Sequence, residues 1–426
     1  MNQKIKVVLI GAGNRGTTYT DLMAQLPEKY EVVAVAEPIE NRREYIRQKH
    51  RIPEEFCFES WNDLFAKGKV ADAAIISTQD KDHFEPAIKA ISLGYHLLLE
   101  KPVSPTPEEC WEICRLAEEK DVKVVVCHVL RYAPLFEIVK KTIDEGKLGK
   151  IISINHEECV GNIHQSHSYV RGNWGNEGRS SNMLLAKSCH DLDLLQWLTG
   201  KKCKKIQSFG ALTHFRIENA PEGSPEFCIE GCPVGDKCPY NAVKLYLEDK
   251  ENLWFRTTST RDNNPTDEKV EKAIRTTQYG KCVYRCDNDV VDHQVVTMLL
   301  EDDITVTFSM NAFNRGGRYL HLMGTKGELH AALDNDTPIR IYDFETAKTT
   351  EIAVIAGDGV LNGHGGGDEG IVDSFYEYLL DNYKGSSISD IRTSVSNHLL
   401  VFAAEKARKE ECVVDFGTFL KTLENR

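Results

Sequence analysis

KIKVVLIGAGNRG, residues 4–16, reads as a short apolar strand running straight into a glycine-rich turn. Leu22, Met23 and Leu26 then recur at helical spacing up to Pro27, so the turn opens a helix. A second apolar run, residues 31–36, ends in Glu37, which lies 21 residues beyond Gly16. Each position has a physical reason. Gly11 permits the tight turn, Gly13 lets the backbone approach a pyrophosphate, and Gly16 lets helix and strand pack closely. The amides of Asn14 and Arg15, at the start of the helix, face the negative charge without needing a cationic side chain. Glu37 is placed to accept hydrogen bonds from the ribose hydroxyls and to repel a 2′-phosphate, which favours NAD over NADP. Arg42 and Arg43 soften that preference. A glycine-rich turn alone is a common loop; strand, helix and acid in agreement predict a dinucleotide site.

Working outward, residues 73–77, 96–99 and 122–127 read as further strands, each preceded by an amphipathic stretch of helical length. That alternation predicts an α/β domain with a parallel, doubly wound Rossmann sheet over residues 1–127. Residues 151–156, 290–299, 304–312 and 319–323 also read as strands, several of alternating polarity and joined by short links. They belong to a second domain, residues 128–426, with a cysteine-containing insertion at about residues 216–288. A chain of 426 residues is long enough for two cores.

Composition narrows the function classes. Apolar content of 41% with 27% charged residues is that of a globular protein, and no window approaches the roughly 18 unbroken apolar residues of a membrane span. The N-terminus lacks the pattern of a secretory signal, so a cytoplasmic location is expected. A net charge of −13 without a basic block argues against nucleic acid as a partner. The odd count of 13 cysteines argues against a fully paired disulfide framework.

GAGNRG (11–16), STQDKDHFEPAIKAISLGYHLLLEKPVS (77–104), HVLRYAPLF (128–136), KSCHDLDLLQWLTG (187–200) and GTKGEL (324–329) together resemble the Gfo/Idh/MocA family of oxidoreductases, which includes glucose-fructose oxidoreductase and inositol dehydrogenases. The resemblance implies a Rossmann domain followed by an α+β domain on a large, mostly antiparallel sheet, with the active site between them. It also implies a homodimer or homotetramer and a sugar, sugar derivative or cyclic polyol as substrate. Ser77, Thr78 and His83 resemble the loop around the nicotinamide half of the cofactor, and Pro102 the proline that follows the family lysine.

Lys101 sits just past the carboxyl end of a parallel strand, where such sheets bind ligands, and is the candidate base for an alcohol proton, with Glu100 orienting it or the nicotinamide ribose. His190 resembles the family histidine that binds the reacting oxygen; the plain alternative is a partly buried histidine capping a carbonyl. The family's aspartate one turn earlier is Ala186 here, and its glycine two residues before the histidine is Ser188. Lys187 is a candidate to compensate, as a catalytic or substrate-binding ammonium, unless it simply pairs with Asp191 one turn on. Arg131, His164, Tyr169, Arg171 and Trp174 are candidate substrate contacts, because aromatic faces stack on C–H groups while Arg and His donate to hydroxyls. The alternative for the loop at 164–179 is an ordinary polar surface loop. His364 is a candidate cleft residue, and Asp368 either joins it or is a helix N-cap.

Cys228, Cys232 and Cys238 lie in a Pro/Gly-rich insertion, with Cys282 and Cys286 about fifty residues on. A structural zinc held by Cys228, Cys232, Cys238 and Cys286 is one reading, with Cys282 or a histidine as other fourth ligands. Free buried thiols, iron–sulfur chemistry and disulfides are the others. The function expected is NAD(P)-dependent hydride transfer to or from a hydroxyl. Its rivals are glycoside cleavage through transient oxidation and a non-catalytic cofactor-binding role.

Overall fold

The structure, a computed structural model, describes residues 4–334, 337–354 and 364–424. Its first half alternates strand and helix: β1 (Ile5–Ile10), α1 (Asn14–Ala24), β2 (Tyr30–Ala36), α2 (Glu40–His50), β3 (Cys57–Phe58), α3 (Trp61–Ala66), β4 (Ala73–Ile76), α4 (Phe84–Ser92), β5 (His96–Leu99), α5 (Pro107–Glu119) and β6 (Val124–Val126). The strands pair in parallel in the order β3-β2-β1-β4-β5-β6, the doubly wound sheet expected. Helices cover both faces, which is why β4 and β6 are buried at every position rather than alternately. The order reverses between β1 and β4, and the crevice at their carboxyl ends is where open α/β sheets bind ligands.

The second half comprises α6 (Pro134–Asp144), β7 (Ile151–Cys159), α7 (Asn162–His164), which runs on into a π-helical turn (Gln165–Arg171), α8 (Met183–Ala186), α9 (Cys189–Thr199), β8 (Cys203–Ala211), α10 (Leu253–Thr260) and α11 (Asp267–Thr276). Then follow β9 (His293–Leu300), β10 (Thr305–Asn311), β11 (Gly317–Gly324), β12 (Gly327–Leu333), β13 (Ile339–Asp343), β14 (Lys348–Ile352), α12 (Gly367–Leu379), α13 (Ile391–Glu410), β15 (Val414–Asp415) and α14 (Phe416–Glu424). Nine strands form one sheet, β14-β13-β12-β11-β7-β10-β9-β8-β15, in which β7 and β10 run parallel and the other neighbours antiparallel. Alternation along β7 points Ile154, His156 and Glu158 inward and leaves Asn155 and Glu157 exposed. Among the described residues no helix is long and apolar enough to cross a membrane.

Two connections lock the halves together. Helix α12 returns to the first sheet, burying Ile371, Val372, Phe375 and Tyr376 in one cluster with Val7, Tyr30 and Val32, while the Tyr30 hydroxyl donates to the Val372 carbonyl at 2.8 Å. The second is Arg131, between β6 and α6. Its Nε and Nη2 each donate to Asp193 of α9 at 2.7 Å, and its Nη1 donates to the Ile388 carbonyl at 3.2 Å. Arg131 was expected at the substrate; at 2% exposure and with all three groups engaged, it is a structural tie instead. Replacing Arg131 by Met strands a buried carboxylate, so unfolding by urea should show a loss of about 3–5 kcal/mol, most of it recovered when Asp193→Leu is added.

Candidate active site

The glycine turn is shaped by close backbone contacts. Gly11 has φ +87°, and a Cβ there would lie 2.7 Å from the Ser77 carbonyl oxygen; a Cβ at Gly16 would lie 2.2 Å from the Gly11 carbonyl oxygen. Gly13 is different: a Cβ there would meet only Arg42 Nη1, at 3.9 Å, so this side of the turn faces open space. Gly13 gives α1 no side-chain cap, which leaves the first-turn amides of exposed Asn14 and of Arg15 for an anion. The Ser77 hydroxyl ties the turn to β4 by donating to the Gly11 carbonyl at 2.7 Å. Glu37 is buried at the end of β2 and accepts from the Ala12 amide at 2.7 Å and the Ile39 amide at 3.0 Å. Two of about four lone-pair sites of that carboxylate are thus used within the chain. These features fit a dinucleotide.

At the end of β5, Glu100 accepts from Arg15 Nε at 2.9 Å, the Tyr19 hydroxyl at 2.7 Å and the Lys101 amide at 2.9 Å. Burial works to raise its pKa, but Arg15 and Lys101 outweigh that and hold the carboxyl below its usual range. Arg15 also reaches Asp368 in the first turn of α12, at 2.5 and 3.2 Å, so its side chain is spent on two carboxylates and only its amide is left for a phosphate. His83, expected around the nicotinamide, is fully buried, with Nδ1 2.7 Å from the Pro102 carbonyl and Nε2 3.3 Å from the Thr78 carbonyl. It braces the turn that follows Lys101. Thr78 donates to the Asp82 carbonyl at 2.8 Å and shapes the same loop.

Lys101 reaches the segment just before the helix that carries His190. Lys101 Nζ donates to the Ala186 carbonyl at 2.9 Å, at the end of α8, and α9 carries His190 four residues on. Burial drives the His190 pKa well below its usual value, and the ammonium of Lys101 and the rings of His128 and His364 push the same way. His190 Nδ1 is buried and has no hydrogen-bond partner among the described residues. His128, which sequence reasoning passed over, has no hydrogen-bond partner for either ring nitrogen among the described residues, its Nε2 lying 3.8 Å from Asp193, and it packs edge-on against His190 at 5.7 Å and His398 at 5.4 Å. His364 lines the other side, 5.8 Å from His190 ring to ring, with its Nδ1 3.2 Å from Asp368.

Beside them lies a buried charge network. Lys187 Nζ is 3.2 Å from Glu158, Arg318 Nε is 2.6 Å from Glu158 and 2.9 Å from Asp191, and Asp191 is 2.9 Å from His156 Nε2. Lys187 therefore pairs with Glu158 of β7 and not with Asp191. Burial lowers the Lys187 pKa against the pull of Glu158. Burial alone would raise that of Asp191, but Arg318 and His156 reverse it. Glu158 and Arg318 face one another as register partners across β7 and β11, a pairing no local sequence signal reveals.

The expected substrate loop divides. His164, Tyr169 and Trp174 form an aromatic strip, with ring centroids 5.7 and 6.1 Å apart, which Trp254 of the insertion joins at 5.1 Å from His164. Trp174 Nε1 donates to Asp80 at 3.0 Å, and Asp80 also accepts from Ser180 and Ser181. Arg171 points away from this strip: it donates to the carbonyls of Lys281 and Tyr240 inside the insertion, which corrects its expected substrate role. Cys286 is likewise displaced. Its thiol turns to the Cys282 carbonyl at 3.5 Å, whereas Cys282 lines one cavity with Cys228, Cys232 and Cys238. The insertion also reaches the first domain, where Asp262 bonds the Asn41 side chain and Arg261 lowers the pKa of Arg42, which burial already depresses.

Residues 5–128 match the oxidoreductase family Gfo/Idh/MocA over its NAD-binding Rossmann fold, and residues 140–415 match its C-terminal alpha/beta domain. The chain belongs to the Gfo/Idh/MocA family. YteT of Bacillus subtilis (strain 168) is 23% identical over 382 residues, covering 83% of this chain and 84% of that protein. An inositol 2-dehydrogenase of Corynebacterium glutamicum (strain R) is 23% identical over 209 residues, 49% of this chain and 58% of that enzyme. The scyllo-inositol dehydrogenase of Lactobacillus casei with NAD(H) and scyllo-inositol has the same fold, with a TM-score of 0.66 at 16% identity over 97% of this chain and 100% of that one.

Burial also sets a pH dependence. Burial pushes His128 down to about 4, and His167 and His398 down to about 3, from 6.5. Below 6.5 the unfolded chain takes up protons that the folded chain refuses, so stability rises with pH through this window and is lost on acidification. Unfolding free energies from urea titrations between about pH 7 and about pH 5 should fall steadily on acidification, by at most about 1.4 kcal/mol per pH unit for each histidine. His128→Asn should flatten the slope.

Proposed function

We propose that this protein is an NAD-dependent dehydrogenase acting on a CH–OH group of a sugar, sugar derivative or cyclic polyol. The observation that carries the reading is the bond from Lys101 of the first domain to the Ala186 carbonyl of the second, four residues before His190. The Lys101 side chain is held by a main-chain carbonyl, and the imidazole has a buried nitrogen without a hydrogen-bond partner among the described residues. The family's NAD-binding domain and the polyol-oxidising relatives agree with it.

The dinucleotide, held on the glycine turn and the first amides of α1, supplies the hydride acceptor or donor at its nicotinamide. Gly13 leaves room for the phosphates, and the free lone pairs of Glu37 take the adenosine ribose hydroxyls. His190 is neutral and binds the reacting hydroxyl through its unpartnered nitrogen. Lys101, starting as the neutral amine, takes the hydroxyl proton as the carbon loses hydride and becomes the ammonium; in the reverse direction the ammonium returns that proton to the oxygen. Ala186, which replaces the family aspartate, anchors Lys101 through its main chain, a contact that does not depend on the side chain at that position. Lys187, His164, Tyr169 and Trp174 line the polar and aromatic walls against which further hydroxyls and C–H faces are read. The exposed side of the nine-stranded sheet carries Phe209, Tyr319 and Tyr342, which favours burial against a second copy in a homodimer or homotetramer.

Lys101→Ala should keep NAD binding by fluorescence titration while kcat falls by about 10²–10⁴-fold. Unchanged turnover would remove the lysine from the chemistry. With a panel of polyols and sugars, NADH should accumulate; bond cleavage with no net NADH would instead assign the transient-oxidation route.

A further inference from the structure

Only Thr325 and Lys326 join β11 to β12, and so short a link fixes the register of the two strands. In that register His321 stands directly opposite His330, and Met323 opposite Glu328. Residues opposite one another in an antiparallel pair share a face of the sheet. Leu320, Leu322, Leu329 and Ala331 are buried on the inner face, so His321, Glu328 and His330 stand together on the outer one. Glu158 and Arg318 belong to the inner face, which places the three on the far side of the sheet from the cleft.

Their side chains converge. One ligand atom of each, a ring nitrogen of His321 and of His330 and a carboxylate oxygen of Glu328, lie within 4.8 Å of one another. His321 Nε2 is 3.0 Å from Glu328 Oε2, and the two imidazoles stack with centroids 3.8 Å apart at 18°. His321 is 27% and Glu328 35% exposed, and His330 is open to solvent, so an ion reaches all three.

The charge state suits coordination. Burial lowers the His330 pKa, and the His321 ring and Arg340 push the same way against Glu328. The ring is therefore the free base at neutral pH, the form that binds a metal. Arg340, the neighbour of His330 on β13, is turned to Glu351 at 2.8 Å, so its charge is offset.

Two imidazole nitrogens and one carboxylate oxygen are a donor set for zinc, with a fourth position left for water, whereas magnesium and calcium take oxygen donors. A tetrahedral zinc about 2.0–2.2 Å from each donor sets the donors about 3.4 Å apart. That spacing falls between the 3.0 Å of the His321–Glu328 contact and the 4.8 Å that bounds the group. Rotation about the Cβ–Cγ bonds unstacks the rings and turns their nitrogens to a common point, a soft motion for side chains at the surface.

We propose that His321, Glu328 and His330 bind one zinc ion on the outer face of the nine-stranded sheet, clipping β11 to β12 and leaving one coordination position to water. The inference is independent of the reaction proposed above, since it rests on strand register and donor chemistry outside the cleft.

The test is the full-length protein, stripped with a chelator and titrated with zinc(II) by calorimetry and with cobalt(II) by visible absorption. Zinc should bind with a dissociation constant of about 10 μM or tighter. The cobalt spectrum should contain a d–d component without the thiolate charge transfer that marks cysteine-bound cobalt. His321→Asn and His330→Asn should each remove that component and weaken zinc at this site by about 100-fold, and Glu328→Gln by about 10-fold. Spectra and isotherms unchanged in the two histidine variants, or binding only at millimolar zinc, would overturn the proposal. His330 is exposed, so His330→Asn keeps the fold and decides the matter even where His321→Asn does not.

Discussion

A single guanidinium fixes the geometry on which the cleft depends. Arg15, in the glycine turn, is clasped by Glu100 at the end of β5 and by Asp368 at the start of α12, side chains separated by more than half of the chain. Glu100 in turn holds the Lys101 amide and the Tyr19 hydroxyl. The turn beneath the phosphates, the strand end that presents Lys101 and the helix that brings His364 are thereby set relative to one another. Charge-assisted bonds in a desolvated site hold such an arrangement more rigidly than the same bonds in water.

The two halves of the site differ in how much of them the sequence displays. The dinucleotide half is local: strand, glycines, helix and acid follow in order, and β1, β2, β4 and β5 lie within a residue of where periodicity put them. Lys101 and His190 stand at positions the sequence marks, one just past a parallel strand and one at the start of a helix. Glu158 and Arg318 do not. They meet because β7 and β11 are paired in one register of several that the alternation allows, and register is a property of the whole sheet.

Misassigned residues share a cause. Arg131 and Arg171 lie in polar, active-site-like stretches, yet their guanidiniums turn inward to Asp193 and to backbone carbonyls. Residue type reports what a side chain is able to bind; its direction is decided by packing. Cys282 and Cys286 make the same point, being four residues apart in a segment of irregular backbone where spacing gives no preference. The concentration of neutral histidines at the cleft, His128, His190 and His364, also arises only when separate elements close over them and exclude water.

The return of α12 has a consequence for how this chain is divided. The apolar face formed by Val7, Tyr30 and Val32 is completed by Ile371, Val372 and Phe375, contributed from beyond the nine-stranded sheet. A fragment cut after residue 127 would retain every strand of the nucleotide-binding sheet and still present that face bare to water. The Rossmann portion is therefore not a detachable module: it is finished only when nearly the whole polypeptide has been synthesised, and any graft that borrows it must carry the distant helix along.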